Sequence, residues 1–156
     1  MTFDGSRRGT LLTGSLAALL ALGWSIREAQ LAGAQGKRVP SATLNLKDLK
    51  AEEAVYEGKP TGKAATYFMG ETAGTRSLHV GRFELAPGTE PHPPHKHVDE
   101  EVLIVTRGKG EVYCGGQTTP VRAGAVMYSD PNVEHGIKNT GDKPLEFYWV
   151  KYIPGK

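Results

Sequence analysis

Residues 91–101 read PHPPHKHVDEE, so three imidazoles and three carboxylates fall in one short run behind three prolines. Neutral imidazole and carboxylate are the side chains that hold divalent transition metals. The spacing sharpens the point. His95 and His97 are two apart, and Glu101 lies four beyond His97. On extended backbone an even step keeps side chains on one face, so these three can converge on one point inside a barrel. Pro91, Pro93 and Pro94 hold the approach extended and lower the entropy lost in ordering it. A fourth donor has to come from distant sequence. His135 is the candidate, because it follows a Pro131-Asn132 turn and opens a strand-like stretch that runs to Asn139. Three imidazoles and one carboxylate suit Fe(II), Mn(II), Ni(II), Cu(II) or Zn(II), and suit calcium or magnesium poorly. An octahedral ion on four protein donors keeps two positions for water or substrate, which is the arrangement for exchange rather than for stapling a fold.

Other groups compete for these roles. Glu100 is the rival carboxylate, but it stands an odd step from His97; Asp99 and Glu100 read as solvated loop charges. His92 lies in the proline-rich approach and His79 in a strand, and either is a secondary candidate for the site. Asn139 fits a turn or strand-pairing role, and Gly108 and Gly124 are backbone punctuation. The lone Cys114 rules out an internal disulfide and reads as a small apolar residue near a strand end.

These donors need a frame, and the frame is β. A chain of 156 residues with 20 Gly and 10 Pro is one turn-rich domain of short strands rather than a helical bundle. From Ser77 onward strands alternate with turn signals. SLHVGRFEL changes phase at Gly81, which predicts a bulge there. EVLIVT is a continuous apolar run, as in a strand covered on both faces. Gly115-Gly116 is a two-residue hairpin signal, and LEFYWVKY (145–152) is the last strand. Strands of about six residues at this spacing indicate a small antiparallel β-barrel or jelly roll over residues 77–156. Residues 35–76 read as an N-terminal extension packing on that barrel, with a helical turn from Asn45 that points Leu46 and Leu49 inward.

The first 34 residues read as an export signal. Arg7-Arg8 precede an apolar run from Leu11 to Trp24, and Ala32-Gly33-Ala34 supplies a small-x-small cleavage pattern. The apolar run is shorter than the roughly 20 residues of a spanning helix. SRRGTLL resembles the twin-arginine motif, with Thr10 where a larger apolar residue is usual. The expectation is an exported protein, periplasmic or extracellular, with no stable membrane span once the signal is removed. Net charge of +2 with both signs interspersed offers no basic stripe for nucleic acid.

His95-x-His97-x3-Glu101-x6-Gly108, with Gly88 ahead of it, resembles the first motif of the cupin family; Gly124…Pro131…His135-x3-Asn139 is similar to the second. The second motif lacks the glycine that usually follows the proline, and Val133 stands nearby instead. The resemblance implies a double-stranded β-helix holding one divalent metal on His95, His97, Glu101 and His135. It further implies three classes of function. One is a dioxygenase-like oxidoreductase, with Glu101 as both ligand and catalytic proton acceptor. The second is a non-redox isomerase or lyase, which needs a further base near the metal; His79, His92, Tyr113 and Tyr128 are possible. The third is a module that binds a small ligand or metal without turnover. Phe83, Met127, Tyr128, Phe147 and Trp149 could line the pocket, with half of them pointing away. The default partners are a small molecule and a second copy of the chain, as a homodimer.

Overall fold

Alternating apolar residues between glycine and proline turns produce nine strands in the computed structural model, which describes residues 38–155. They are β1 (Glu52–Tyr56), β2 (Lys59–Gly70), β3 (Thr75–Leu85), β4 (Glu100–Arg107), β5 (Lys109–Cys114), β6 (Gln117–Arg122), β7 (Val126–Ser129), β8 (His135–Lys138) and β9 (Leu145–Pro154). One sheet has the order β1-β2-β3-β9-β4-β7 and the other β6-β5-β8. Every strand pairing is antiparallel. The fold is therefore all-β and antiparallel, as the sequence predicts. The β5–β6 hairpin closes on Gly115 and Gly116, both at positive φ (57° and 90°), where residues with a Cβ would be strained.

The core lies between the sheets. Phe83 and Leu85 of β3, Leu103 and Val105 of β4, Met127 of β7 and Leu145 and Phe147 of β9 face Val112 of β5 and Ile137 of β8. The register arranges the inward side chains in rungs. His79, Lys151, Glu101 and Ser129 pair across four strands, then Gly81, Trp149, Leu103 and Met127, then Phe83, Phe147 and Val105, then Leu85 and Leu145. Phe83 and Phe147 stack with centroids 5.5 Å apart, a contact beyond area burial alone.

Several expectations need correction. Residues 52–70 do not pack onto the barrel as an extension: they form β1 and β2, two strands of the larger sheet, and β3 begins at Thr75, ahead of the expected boundary at 77. Ala64, Ala65, Thr61 and Thr66 carry too little apolar bulk for a period-two pattern to stand out. The helical turn is a 3₁₀ turn, Leu46–Asp48, with no buried residue, and Leu46 is exposed. The bulge lies on β2, where the register shifts between Thr66 and Phe68, opposite Gly81 and Val80 of β3. Gly81 instead admits a neighbour: a Cβ there would collide with the Trp149 ring. β4 is covered on one face only, since Glu101, Leu103 and Val105 are buried while Ile104 is 36% exposed. Of the five candidate lining residues, only Tyr128 points away.

The export signal read over residues 1–34 lies outside the described residues. Among the described residues no helix is long and apolar enough to cross a membrane.

Candidate metal centre

The two distant histidine segments are joined backbone to backbone. His95 N–H donates to His135 O (3.0 Å) and His135 N–H to His95 O (2.9 Å). Asn132 N–H donates to His97 O (2.7 Å). Residues 91–99 therefore do not form a regular strand, contrary to the even-step argument; this isolated bridge to β8 holds them extended. The prolines remove donors that a ladder would need. The turn ahead of His135 uses Asn132 at φ 63° in place of the missing glycine. Asn is among the residues that tolerate this region best.

The rings converge all the same. One ligand nitrogen from each of His95, His97 and His135 lies within 4.8 Å of the others. Glu101, 8% exposed, adds a carboxylate oxygen: Oε2 is 2.9 Å from His97 Nε2 and 3.0 Å from His135 Nε2. The far side of each ring decides what these contacts are. His135 Nδ1 donates to Val133 O (2.8 Å), and His97 Nδ1 donates to Asp99 O (3.1 Å). A carbonyl only accepts, so both Nδ1 atoms carry hydrogen, and in the neutral rings both Nε2 atoms are lone pairs. Two lone pairs then face one carboxylate oxygen, and positive charge must lie between them. Ligands about 2.0–2.2 Å from one ion at right angles stand about 3 Å apart, which matches these separations. The donor set and its hydrogen-bonded outer partners thus fit a divalent transition metal.

The electrostatics agree. Burial pushes the Glu101 carboxyl up, but in the metal-free protein, where a proton on the Nε2 side takes the place of an ion, the hydrogen bonds with His135 and His97 and the charge of Lys151 outweigh it and hold the group well below the usual carboxylate range. Burial pulls His135 down, yet its contacts with Glu101 and the Val133 carbonyl lift it above the ordinary imidazole value.

The remaining candidates separate by face. Glu100 turns outward and accepts from Tyr152 (2.6 Å) and Tyr128 (3.1 Å), so the inward carboxylate is Glu101. Asp99 is more than a solvated charge, since its carbonyl orients His97 and its Oδ2 lies 3.6 Å from Nδ1. Tyr113 and Tyr128 lie on outer faces, paired with Gly136 and Val102, which removes both as bases beside the centre. His92 stacks edge-on against His95 at 4.2 Å. His79 lies on the inner face against Trp149. Asn139 is fully buried and braces three backbone groups: Nδ2 donates to Leu85 O and Lys143 O, and Oδ1 accepts from Gly141 N–H. Sequence reasoning missed Ser129, whose Oγ lies 3.1 Å from His135 Nδ1, and Lys151, paired with Glu101.

Comparison with known proteins agrees with this architecture. Residues 81–151 match the family model described as a cupin domain. An oxalate-binding protein of Thermotoga maritima is 32% identical over 94 residues, covering 60% of this chain and 77% of that protein. The dimethylsulfoniopropionate lyase DddW of Ruegeria pomeroyi is 32% identical over 82 residues, 53% of either chain, so this chain spans about half its length. An RmlC-like cupin from Shewanella frigidimarina superposes with a TM-score of 0.59 at 17% identity, over 73% of this chain and 92% of that one. Matched by the family model across its barrel strands and by a relative along most of that relative's length, the chain belongs to the cupin family.

Proposed function

We propose that this chain is an exported metalloprotein in which His95, His97, Glu101 and His135 hold one divalent transition metal, and that it acts on a small oxygenated compound as a dioxygenase-like oxidoreductase. One observation carries the reading: two Nε2 atoms stand 2.9 and 3.0 Å from a single Glu101 oxygen in a buried site, with both Nδ1 atoms turned to backbone carbonyls. When bound, the metal supplies open coordination positions and redox chemistry for a substrate oxygen and O2. The protein's own residues do the rest. Val133 O, Ser129 and Asp99 O fix the ring orientations of His135 and His97. Leu103, Met127 and Trp149, one rung deeper, exclude water from below. Glu101, ionised and buried, is placed to accept a proton from a bound hydroxyl. The relative that binds oxalate supports a small acid as ligand.

A second reading is a metal-dependent lyase. One relative is a lyase, and His79 on the inner face offers a base. The exposed outer face of β4 and β7, with Ile104, Val126 (64%) and Tyr128 (51%), supports a homodimer covering it.

Elemental analysis of the full-length chain, purified without chelators or a metal-binding tag, is the test. About one equivalent of Fe, Mn, Ni or Cu, with oxygen uptake on a panel of phenols and dicarboxylic acids, supports the oxidoreductase. One equivalent of Zn without oxygen uptake moves the assignment to the lyase. No metal after reconstitution sinks both.

A further inference from the structure

β6 and β7 follow each other in the chain, yet each ends its own sheet and no pairing joins them. The seam between them opens on a cavity of about 320 Å³. Its floor is hydrocarbon from both sheets: Leu103 and Val105 of β4, Met127 of β7 and Val112 of β5. Its rim is polar and uncharged, with Gln117 and Thr119 of β6 at exposed positions. Cys114 reaches across the seam from β5, and its Sγ–H donates to Tyr128 O of β7 (3.7 Å). A packed core holds few voids larger than a water molecule, so a space of this size is not slack in the packing. An apolar cavity of about 150 Å³ already takes up benzene, and ligand pockets begin at about 300 Å³. No residue lining the cavity carries a charge, and none is among the four metal donors. Such a lining selects against ions, because a carboxylate or ammonium brought here loses its water and meets no counter-charge.

We propose that the seam cavity is a second binding site, for a small uncharged molecule of one ring with a single polar group, and that it works independently of the metal centre. The ring lies on Leu103, Val105, Val112 and Met127, and the polar group is answered at the mouth by Gln117 and Thr119, whose side chains both donate and accept. Cys114 is not the site; its thiol lines the cavity and reports on it.

The test uses the full chain, stripped of metal by dialysis against a chelator. p-Cresol and cyclohexanol are titrated by calorimetry beside p-hydroxybenzoate, which shares the ring and hydroxyl of p-cresol but carries an ionised carboxylate at neutral pH. At least one neutral probe should bind with a Kd of about 1 mM or tighter, and p-hydroxybenzoate at least about tenfold more weakly. At about ten times its Kd the neutral probe should slow alkylation of Cys114 by iodoacetamide about tenfold, as the fraction of empty sites falls. Thr119→Trp plugs the mouth from an exposed position and should weaken the probe about tenfold or more, with circular dichroism and metal uptake unchanged. Addition of Mn(II) should leave the Kd within about twofold, since uncoupled sites do not alter each other's affinity. Failure of both neutral probes to bind overturns the site, and so does equal binding of p-hydroxybenzoate. A folded Thr119→Trp that binds like the parent, or displacement of the probe by Mn(II), places the probe elsewhere and overturns it too. The protection of Cys114 is read on the parent chain, so its absence overturns the site whether or not the variant folds. None of these outcomes depends on whether the histidine cluster takes up metal.

Discussion

The two ends of the interior are built by the same strands, yet they do opposite things. At one end the rung is His79, Lys151, Glu101 and Ser129; two rungs along it is Phe83, Phe147 and Val105. The polar end meets the histidine loop, and every inward side chain there is polar or charged. The apolar end is closed by Leu85 and Leu145, both fully buried. Strand alternation sends both sets inward equally. The difference is that one end is stabilised by removing hydrocarbon from water, while the other must satisfy buried charge with partners. The two ends should therefore fail differently when altered.

The largest effect is expected at the apolar end. Phe147→Ala removes half of the stacked pair and should cost about 3–5 kcal/mol in urea unfolding, while the folded fraction still takes up metal at unchanged stoichiometry. At the polar end the order reverses. His135→Ala should leave the fold standing, because its backbone bridge to His95 survives, and should lower metal affinity by more than about 100-fold, beyond the usual loss for an outer partner. Elemental analysis after dialysis, beside circular dichroism, reads both quantities. Ser129→Ala tests the shell behind His135 and should weaken metal binding about tenfold.

The pH dependence should also belong to the polar end. His135 sits above its ordinary value in the metal-free protein, so the proton it holds stabilises the apo fold at low pH, and that contribution fades as pH rises through the raised value. Metal requires the ring without that proton. Affinity measured by competition with a chelator should thus fall between pH 8 and pH 6, by about a decade per unit where one proton competes. Glu101 is held well below the carboxylate range and stays ionised throughout, so it should add no slope there. A flat profile would mean that His135 is not in the ligand set. The smallest effect is expected outside: Glu100→Gln weakens hydrogen bonds from two tyrosines on the outer face and should change stability by under about 1 kcal/mol with metal retained, whereas Glu101→Gln should lose it. The reverse outcome would move the carboxylate to position 100.

Much of the site is legible in the chain itself. His95, His97 and Glu101 stand out because metal donors are rare as a dense group, and the strands after Ser77 because period-two alternation is strong there. The scaffold of the site is harder to read. β2 hides behind alanines and threonines, and the histidine segment that reads as a strand is a loop held by two backbone bonds. In LEFYWVKY both parities carry large side chains, so periodicity does not say which face looks inward.

The sequence by itself therefore determined the class of fold and pointed to His95, His97, Glu101 and His135 as candidate donors, because residue type and even spacing are local properties of the chain. Only the tertiary structure decided that His135 meets His95, that Glu101 rather than Glu100 turns inward, and that Lys151 stands beside it. Each of those depends on the register between strands far apart in sequence, and a slip of one residue would send every side chain to the other face.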